Sequence, residues 1–124
     1  MPFLRCLDPA AAHAALVAAG GDGLFLFFAA AEPGAASSWC PDCVLSEPVL
    51  RATLGRVEPA LAVYECPVGT RAAWKGQAEH PYRRHPAFRV SRIPTLIRFR
   101  AGVEIGRLVE GPCADPAAIT AFLG

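Results

Sequence analysis

Residues 37–48 read Ser-Ser-Trp-Cys-Pro-Asp-Cys-Val-Leu-Ser-Glu-Pro, and the cysteine pair at the centre decides how the rest of the chain is read. With Cys40 as N-cap, Pro41 falls at the first helical position, where a missing N–H costs nothing, and Asp42 and Cys43 complete the first turn. Val44, Leu45, Val49 and Leu50 continue at helical spacing as far as Gly55, across Pro48, where a kink is expected. A helix start leaves unpaired backbone N–H groups that together carry about half a positive charge. Negative charge on a sulfur is therefore favoured there, and the thiolate is the form of cysteine that attacks a disulfide. The spacing gives the two sulfurs different parts. Cys40 attacks at the mouth of the helix, and Cys43, deeper in the first turn, displaces the product and closes a Cys40–Cys43 bridge.

Other uses of the pair are weaker. A zinc or iron–sulfur site needs further ligands, but Cys66 and Cys113 are isolated, and His80 and His85 are not spaced like a zinc-binding pair. A structural bridge would close a very small loop, and an inert pair of buried thiols leaves the cap arrangement unexplained.

Outward from this helix the punctuation is local. Asp8-Pro9, then Ala10 to Ala19, then Gly20-Gly21 predict a capped first helix with a left-handed stop. Leu24 to Ala29 reads as a strand buried on both faces, followed by a loop from Ala30 to Ser38. A second buried strand is expected at Leu61 to Tyr64, and the polar stretch Pro67 to Arg92 holds one short helix near His80 to Ala87. Thr95 to Arg100 and Val103 to Val109 flank Ala101-Gly102 as a hairpin, and Asp115-Pro116 opens a last helix to Leu123. With Phe3 to Leu7 as an edge strand, the order is βαβα followed by ββα around one mixed sheet, an α/β domain spanning residues 1–124.

Composition narrows the classes. The chain has 124 residues, 53% of them apolar, and a net charge of +1, so it can bury a core without staples and advertises neither a polyanionic partner nor a membrane surface. The longest apolar run, Leu24 to Ala31, is far short of the ~20 residues that cross a bilayer. Ala10 to Ala19 resembles a weak signal segment, but Asp8, His13 and the lack of a basic start argue against a targeting peptide. Five cysteines, Cys6, Cys40, Cys43, Cys66 and Cys113, are an odd count with one close pair, which fits a reducing compartment and a cytoplasmic location. The six basic residues between Arg71 and Arg92 lack any nucleic-acid-binding pattern and read as a solvated face, or as positive potential near the active site that favours anionic substrates.

The stretch Trp39-Cys40-Pro41-Asp42-Cys43 resembles the active site of a thioredoxin-fold protein, and Ile93-Pro94-Thr95 resembles that superfamily's cis-proline segment. Ser38 to Cys43 with Glu47-Pro48-Val49, then Cys66-Pro67-Val68-Gly69 and Trp74-Lys75, are similar to the Clot family of 14-kDa thioredoxin-related proteins, also called thioredoxin domain-containing protein 17. The resemblance runs from about Leu24 to Val109. It implies a thioredoxin fold with helices flanking a central mixed sheet, and a cytosolic disulfide reductase acting through Cys40 and Cys43. It further implies no bound cofactor, with electrons arriving from NADPH through thioredoxin reductase, and substrates such as cystine, peptide disulfides and certain protein disulfides. No metal, nucleic acid or membrane is expected, and the chain is expected to be a monomer. Two alternatives stay open: a non-catalytic module that binds a partner through the groove at Pro94, and a glutathione-dependent, glutaredoxin-like enzyme, against which Trp39 argues.

Supporting roles follow from the same resemblance. Ile93 and Pro94 would present backbone groups to an extended substrate opposite Cys40, Trp39 would shield the sulfur and offer a flat surface, and Pro41 would set the helix start. The chain departs from the usual thioredoxin pattern because Leu24 to Ala30 holds no acid to help deprotonate the second cysteine. Asp42 and Glu47 are the nearest substitutes, although a carboxylate at Asp42 should itself oppose ionisation of Cys40. The segments Ala30 to Ser38 and Pro67 to Ala87 are expected to wall the site and exclude bulky partners.

Overall fold

Local capping places the first helix. The Asp8 carboxylate accepts from the backbone N–H of Ala11 at 2.8 Å, Pro9 stands at the first turn, and helix α1 spans Pro9–Ala18 until Gly20 and Gly21 turn left-handed at φ 74° and 88°. The computed structural model describes residues 3–56 and 62–123. Around α1 lie strands β1 (Phe3–Arg5) and β2 (Gly23–Phe28), helix α2 (Pro41–Leu54) and strand β3 (Val63–Pro67). Short helices α3 (Arg71–Trp74) and α4 (Pro81–Arg84), strands β4 (Thr95–Arg100) and β5 (Val103–Val109), a 3₁₀ turn at Gly111–Ala114 and helix α5 (Pro116–Leu123) complete the order.

The strands form one mixed sheet in the order β1-β3-β2-β4-β5. β2 pairs in parallel with β3, from Leu24 opposite Val63 to Phe28 opposite Pro67, and antiparallel with β4. Every residue of β2 is buried, as expected of a central strand covered on both faces. Alternation then sorts the side chains. Phe25 and Phe27 join Tyr64, Tyr82, Phe88 and Phe99 in one aromatic cluster, with ring centroids 4.7 to 6.1 Å apart in contacting pairs, on the face shared with α4. The opposite face carries α2, packed against α5 and the 3₁₀ turn. Each buried aromatic ring removes roughly 150–250 Å² from water, so this cluster supplies much of the driving force for folding.

The sheet is stitched at the end away from the cysteines. Ala101 and Gly102 both have positive φ, 51° and 80°, which matches the twist of a two-residue hairpin. The N–H of Gly102 donates to the carbonyl of Gly21 at 3.0 Å, and that of Ala101 to the Asp22 carboxylate at 2.8 Å. A Cβ at Gly21 would fall 2.2 Å from the Gly102 nitrogen, so only glycine permits the approach.

Two expectations shift. The second buried strand covers Val63–Pro67, later than Leu61 to Tyr64, and Leu61 lies outside the described residues. Glu65, beyond the expected end of that strand, is buried inside it, and its carboxylate is held by Arg51 of α2 and by Arg5 of β1. The polar stretch after β3 holds two helical turns rather than one, because Thr70 caps α3 by accepting from the N–H of Ala73. α2 runs on through Pro48, which offers no N–H to the carbonyl four residues back. Among the described residues, no helix is long and apolar enough to cross a membrane.

Candidate active site

Cys40 is the N-cap of α2, with extended φ −95° and ψ 110°, and its carbonyl accepts from Val44 at 3.0 Å, so the helix begins at the sulfur-bearing residue itself. The Cys40 Sγ accepts the backbone N–H of Cys43 at 3.3 Å, filling the place a serine or aspartate oxygen takes in an ordinary cap. Behind it, the Ser38 hydroxyl accepts from the Cys40 N–H at 3.1 Å and fixes the approach of the chain. Pro41 sits in the first turn, and Asp42 follows as the acid of that turn.

Cys43 is the more enclosed of the pair, 1% exposed against 6% for Cys40, and both are free thiols. Its Sγ accepts the N–H of Ala29, just past the end of β2, at 3.5 Å. Burial pushes the Cys43 thiol strongly up; the Ala29 N–H opposes this, while Cys40 and the Asp42 charge add to it. Cys43 is therefore a thiol at neutral pH.

The surrounding residues come from four directions. The Ile93–Pro94 peptide is cis, and Ile93 lines a cavity of about 470 Å³ that Trp39, Cys40, Pro41 and Asp42 also line. The indole N–H of Trp39 donates to the Gly69 carbonyl at 2.9 Å. Glu110, at the end of β5, donates its N–H to the Pro94 carbonyl and pairs with Arg92 across the cavity rim. Of the two segments expected as walls, Pro67 to Ala87 supplies Arg71, Trp74, Lys75 and Arg83, whereas no residue from 30 to 38 lines this cavity.

The two candidate carboxylates differ in position. Asp42 lines the cavity and adds to the upward shift of Cys43. Glu47 is bound to Arg51 at 3.1 Å, and Arg51 in turn reaches the buried Glu65. Burial alone would weaken the Arg51 charge, but the hydrogen bonds it donates to Glu65 and Glu47 outweigh it and hold the guanidinium above its ordinary range. Trp74 and its clamp were not singled out as site residues by the sequence reading: the Arg83 guanidinium lies 3.6 Å from the ring centroid of the buried Trp74, with His80 edge-on at 4.9 Å. Thr70 followed by a helix-forming tetrapeptide between Gly69 and Gly76 was the local signal for this wall.

A family model described as thioredoxin domain-containing protein 17-like, thioredoxin domain, matches residues 8–124. The chain belongs to this family. Among relatives of the thioredoxin domain-containing protein 17-like group, the thioredoxin-like protein Clot of Arabidopsis thaliana is 35% identical over 98 residues, covering 79% of this chain and 72% of its own. Thioredoxin domain-containing protein 17 of Homo sapiens is 31% identical over 101 residues, covering 82% and 77%. The crystal structure of thioredoxin O2 from Arabidopsis thaliana in the oxidised state superposes with a TM-score of 0.63 at 22% identity, over 98% of this chain and 90% of that one. The fold is therefore that of thioredoxin, and a thioredoxin-like domain whose two cysteines stand side by side at a helix start supports a redox role.

Proposed function

We propose that this chain is a dithiol–disulfide oxidoreductase that runs as a reductase through Cys40 and Cys43. The reading is carried by one observation: the Cys40 sulfur caps α2 and accepts the Cys43 N–H at 3.3 Å, while the second sulfur lies enclosed behind it. In the first step the Cys40 thiolate attacks one sulfur of a substrate disulfide. The substrate S–S bond breaks, a mixed disulfide forms on Cys40, and the departing thiolate takes up a proton. In the second step Cys43 loses its proton and attacks the Cys40 sulfur. The second substrate thiolate leaves, and the Cys40–Cys43 disulfide holds the two electrons' worth of oxidation.

Ile93 and the cis-Pro94 segment offer backbone groups to an extended substrate beside Cys40, and Trp39 shields the same sulfur. Recharging draws two electrons from NADPH through thioredoxin reductase, and the chain works as a cytoplasmic monomer on cystine, peptide disulfides and selected protein disulfides. The test is NADPH oxidation with thioredoxin reductase and cystine. Cysteine-dependent turnover, abolished in Cys40→Ser, is expected. Absence of turnover in the intact chain, with partner binding that survives Cys40→Ser, would establish a binding module instead, and recharging by glutathione alone would place the chain among glutaredoxin-like enzymes.

A further inference from the structure

We infer that the cavity beside Cys40 selects disulfides that carry an anionic group, a carboxylate or its equivalent, within a few bonds of the sulfur, and that Arg71 and Lys75 seat that group. The inference rests on the reductase reading above and names its substrate class.

The wall carries four cations, Arg71, Lys75, Arg83 and Arg92, against two carboxylates, Asp42 and Glu110. Their pairing divides them. Glu110 is bound to Arg92 at 3.0 Å, so neither offers its full charge to a ligand. Arg83 is held in place by the carbonyls of Ser91 at 2.6 Å and Trp74 at 3.1 Å and is stacked on the Trp74 ring. Its role is to build the wall. Among the described residues, Arg71 and Lys75 are in no ion pair, and both side chains belong to exposed residues. They stand four residues apart across the turn of α3, so they lie next to each other.

Distance makes this charge effective. A cavity of about 470 Å³ is only about 10 Å across, close to the Debye length of ~8 Å at physiological salt, so a group held inside it still feels both cations. A carboxylate at Asp42 lies on the cysteine side of the cavity. An anion is therefore disfavoured beside Asp42 and drawn to the two cations of the α3 turn, which favours a small disulfide seated with its S–S bond toward Cys40.

The experiment mixes the reduced protein with three disulfides of similar size: 3,3′-dithiodipropionate, a dianion; bis(2-hydroxyethyl) disulfide, neutral; and cystamine, a dication. Single-turnover oxidation is read by acid quench and mass, as the loss of two hydrogens, and each rate is divided by that of the same disulfide with dithiothreitol. A normalised preference of roughly five- to tenfold for the dianion over the neutral compound is expected, shrinking as salt is added. In R71A/K75A the ratio of the dianion rate to the neutral rate should collapse toward one, in a variant whose far-ultraviolet circular dichroism matches the parent, and Lys75→Glu should favour cystamine. Equal normalised rates in the unaltered chain, or a preference that survives R71A/K75A, overturns this inference alone. Reduction of none of the three disulfides overturns the reductase reading and this inference together.

Discussion

The indole N–H of Trp39 donates to the carbonyl of Gly69 at 2.9 Å, tying the residue before the first cysteine to the loop that leaves β3. Gly69 itself has φ +96°, a conformation open to glycine. Trp39→Phe keeps an aromatic ring but loses the donor together with the five-membered part of the indole. It is expected to lower stability by about 0.5–1.5 kcal/mol, read from urea unfolding, and to slow disulfide reduction because the ring is no longer anchored. A variant as stable and as fast as the parent would mean that the tether does not position the ring.

The proposed reaction gives the less enclosed Cys40 the first attack. Cys43→Ser should accumulate a covalent mixed disulfide on Cys40 that mass spectrometry detects, whereas Cys40→Ser should yield no adduct under the same conditions. Adducts on Cys43 in the Cys40→Ser chain would reverse the assignment.

The two acids near the pair should separate cleanly. Asp42→Asn removes a negative charge beside Cys40 and is expected to speed alkylation of Cys40 by iodoacetamide about two- to fivefold at neutral pH. Glu47→Gln removes the charge that pairs with Arg51, so its effect should appear as about 0.5 kcal/mol of stability with release of the mixed disulfide unchanged. Slower release in Glu47→Gln would make Glu47 the proton acceptor for Cys43.

Alkaline pH should loosen the fold. Burial pushes the Cys113 thiol up to about 12 and raises Cys66 and the Tyr82 phenol strongly. In the unfolded chain these groups return to ordinary values near 9.0 for the thiols and 10.0 for the phenol. Their contribution is thus complete below pH 9 and is lost as the pH climbs toward 12, because the unfolded chain gives up protons that the folded one keeps. Cys6 has the opposite sign. A hydrogen bond from the Cys66 thiol, working against burial and Asp8, lowers it to about 7, so its contribution is present above pH 9 and fades as the pH falls through 7. Cys113→Ala should flatten the decline in unfolding free energy above pH 9 by up to about 1.4 kcal/mol per pH unit. An identical decline in the variant would remove Cys113 from the account.

Local chemistry was legible in the sequence where it was self-contained. Asp8-Pro9, Cys40-Pro41 and Asp115-Pro116 each mark a helix start within two residues, and the hairpin at Ala101-Gly102 needs only its own φ angles. The cysteine pair belongs to this group, since its placement depends on the cap alone. What stayed hidden depends on partners far away in the chain. Glu65 looks misplaced in a strand until Arg51 and Arg5 are brought to it. The basic run from Arg71 to Arg92 was visible, but not that Arg83 and Arg92 are tied to Ser91, Trp74 and Glu110 while Arg71 and Lys75 are left over, because that sorting is made by tertiary contacts.

The chain has two tryptophans, Trp39 and Trp74, and both stand in the wall of the one cavity that holds Cys40. Its intrinsic ultraviolet emission, excited beyond the tyrosine band, therefore originates wholly in the wall beside Cys40. Under the proposed function, substrate docking and oxidation of the Cys40–Cys43 pair are expected to change that emission on the unlabelled protein, with no reporter dye to perturb them.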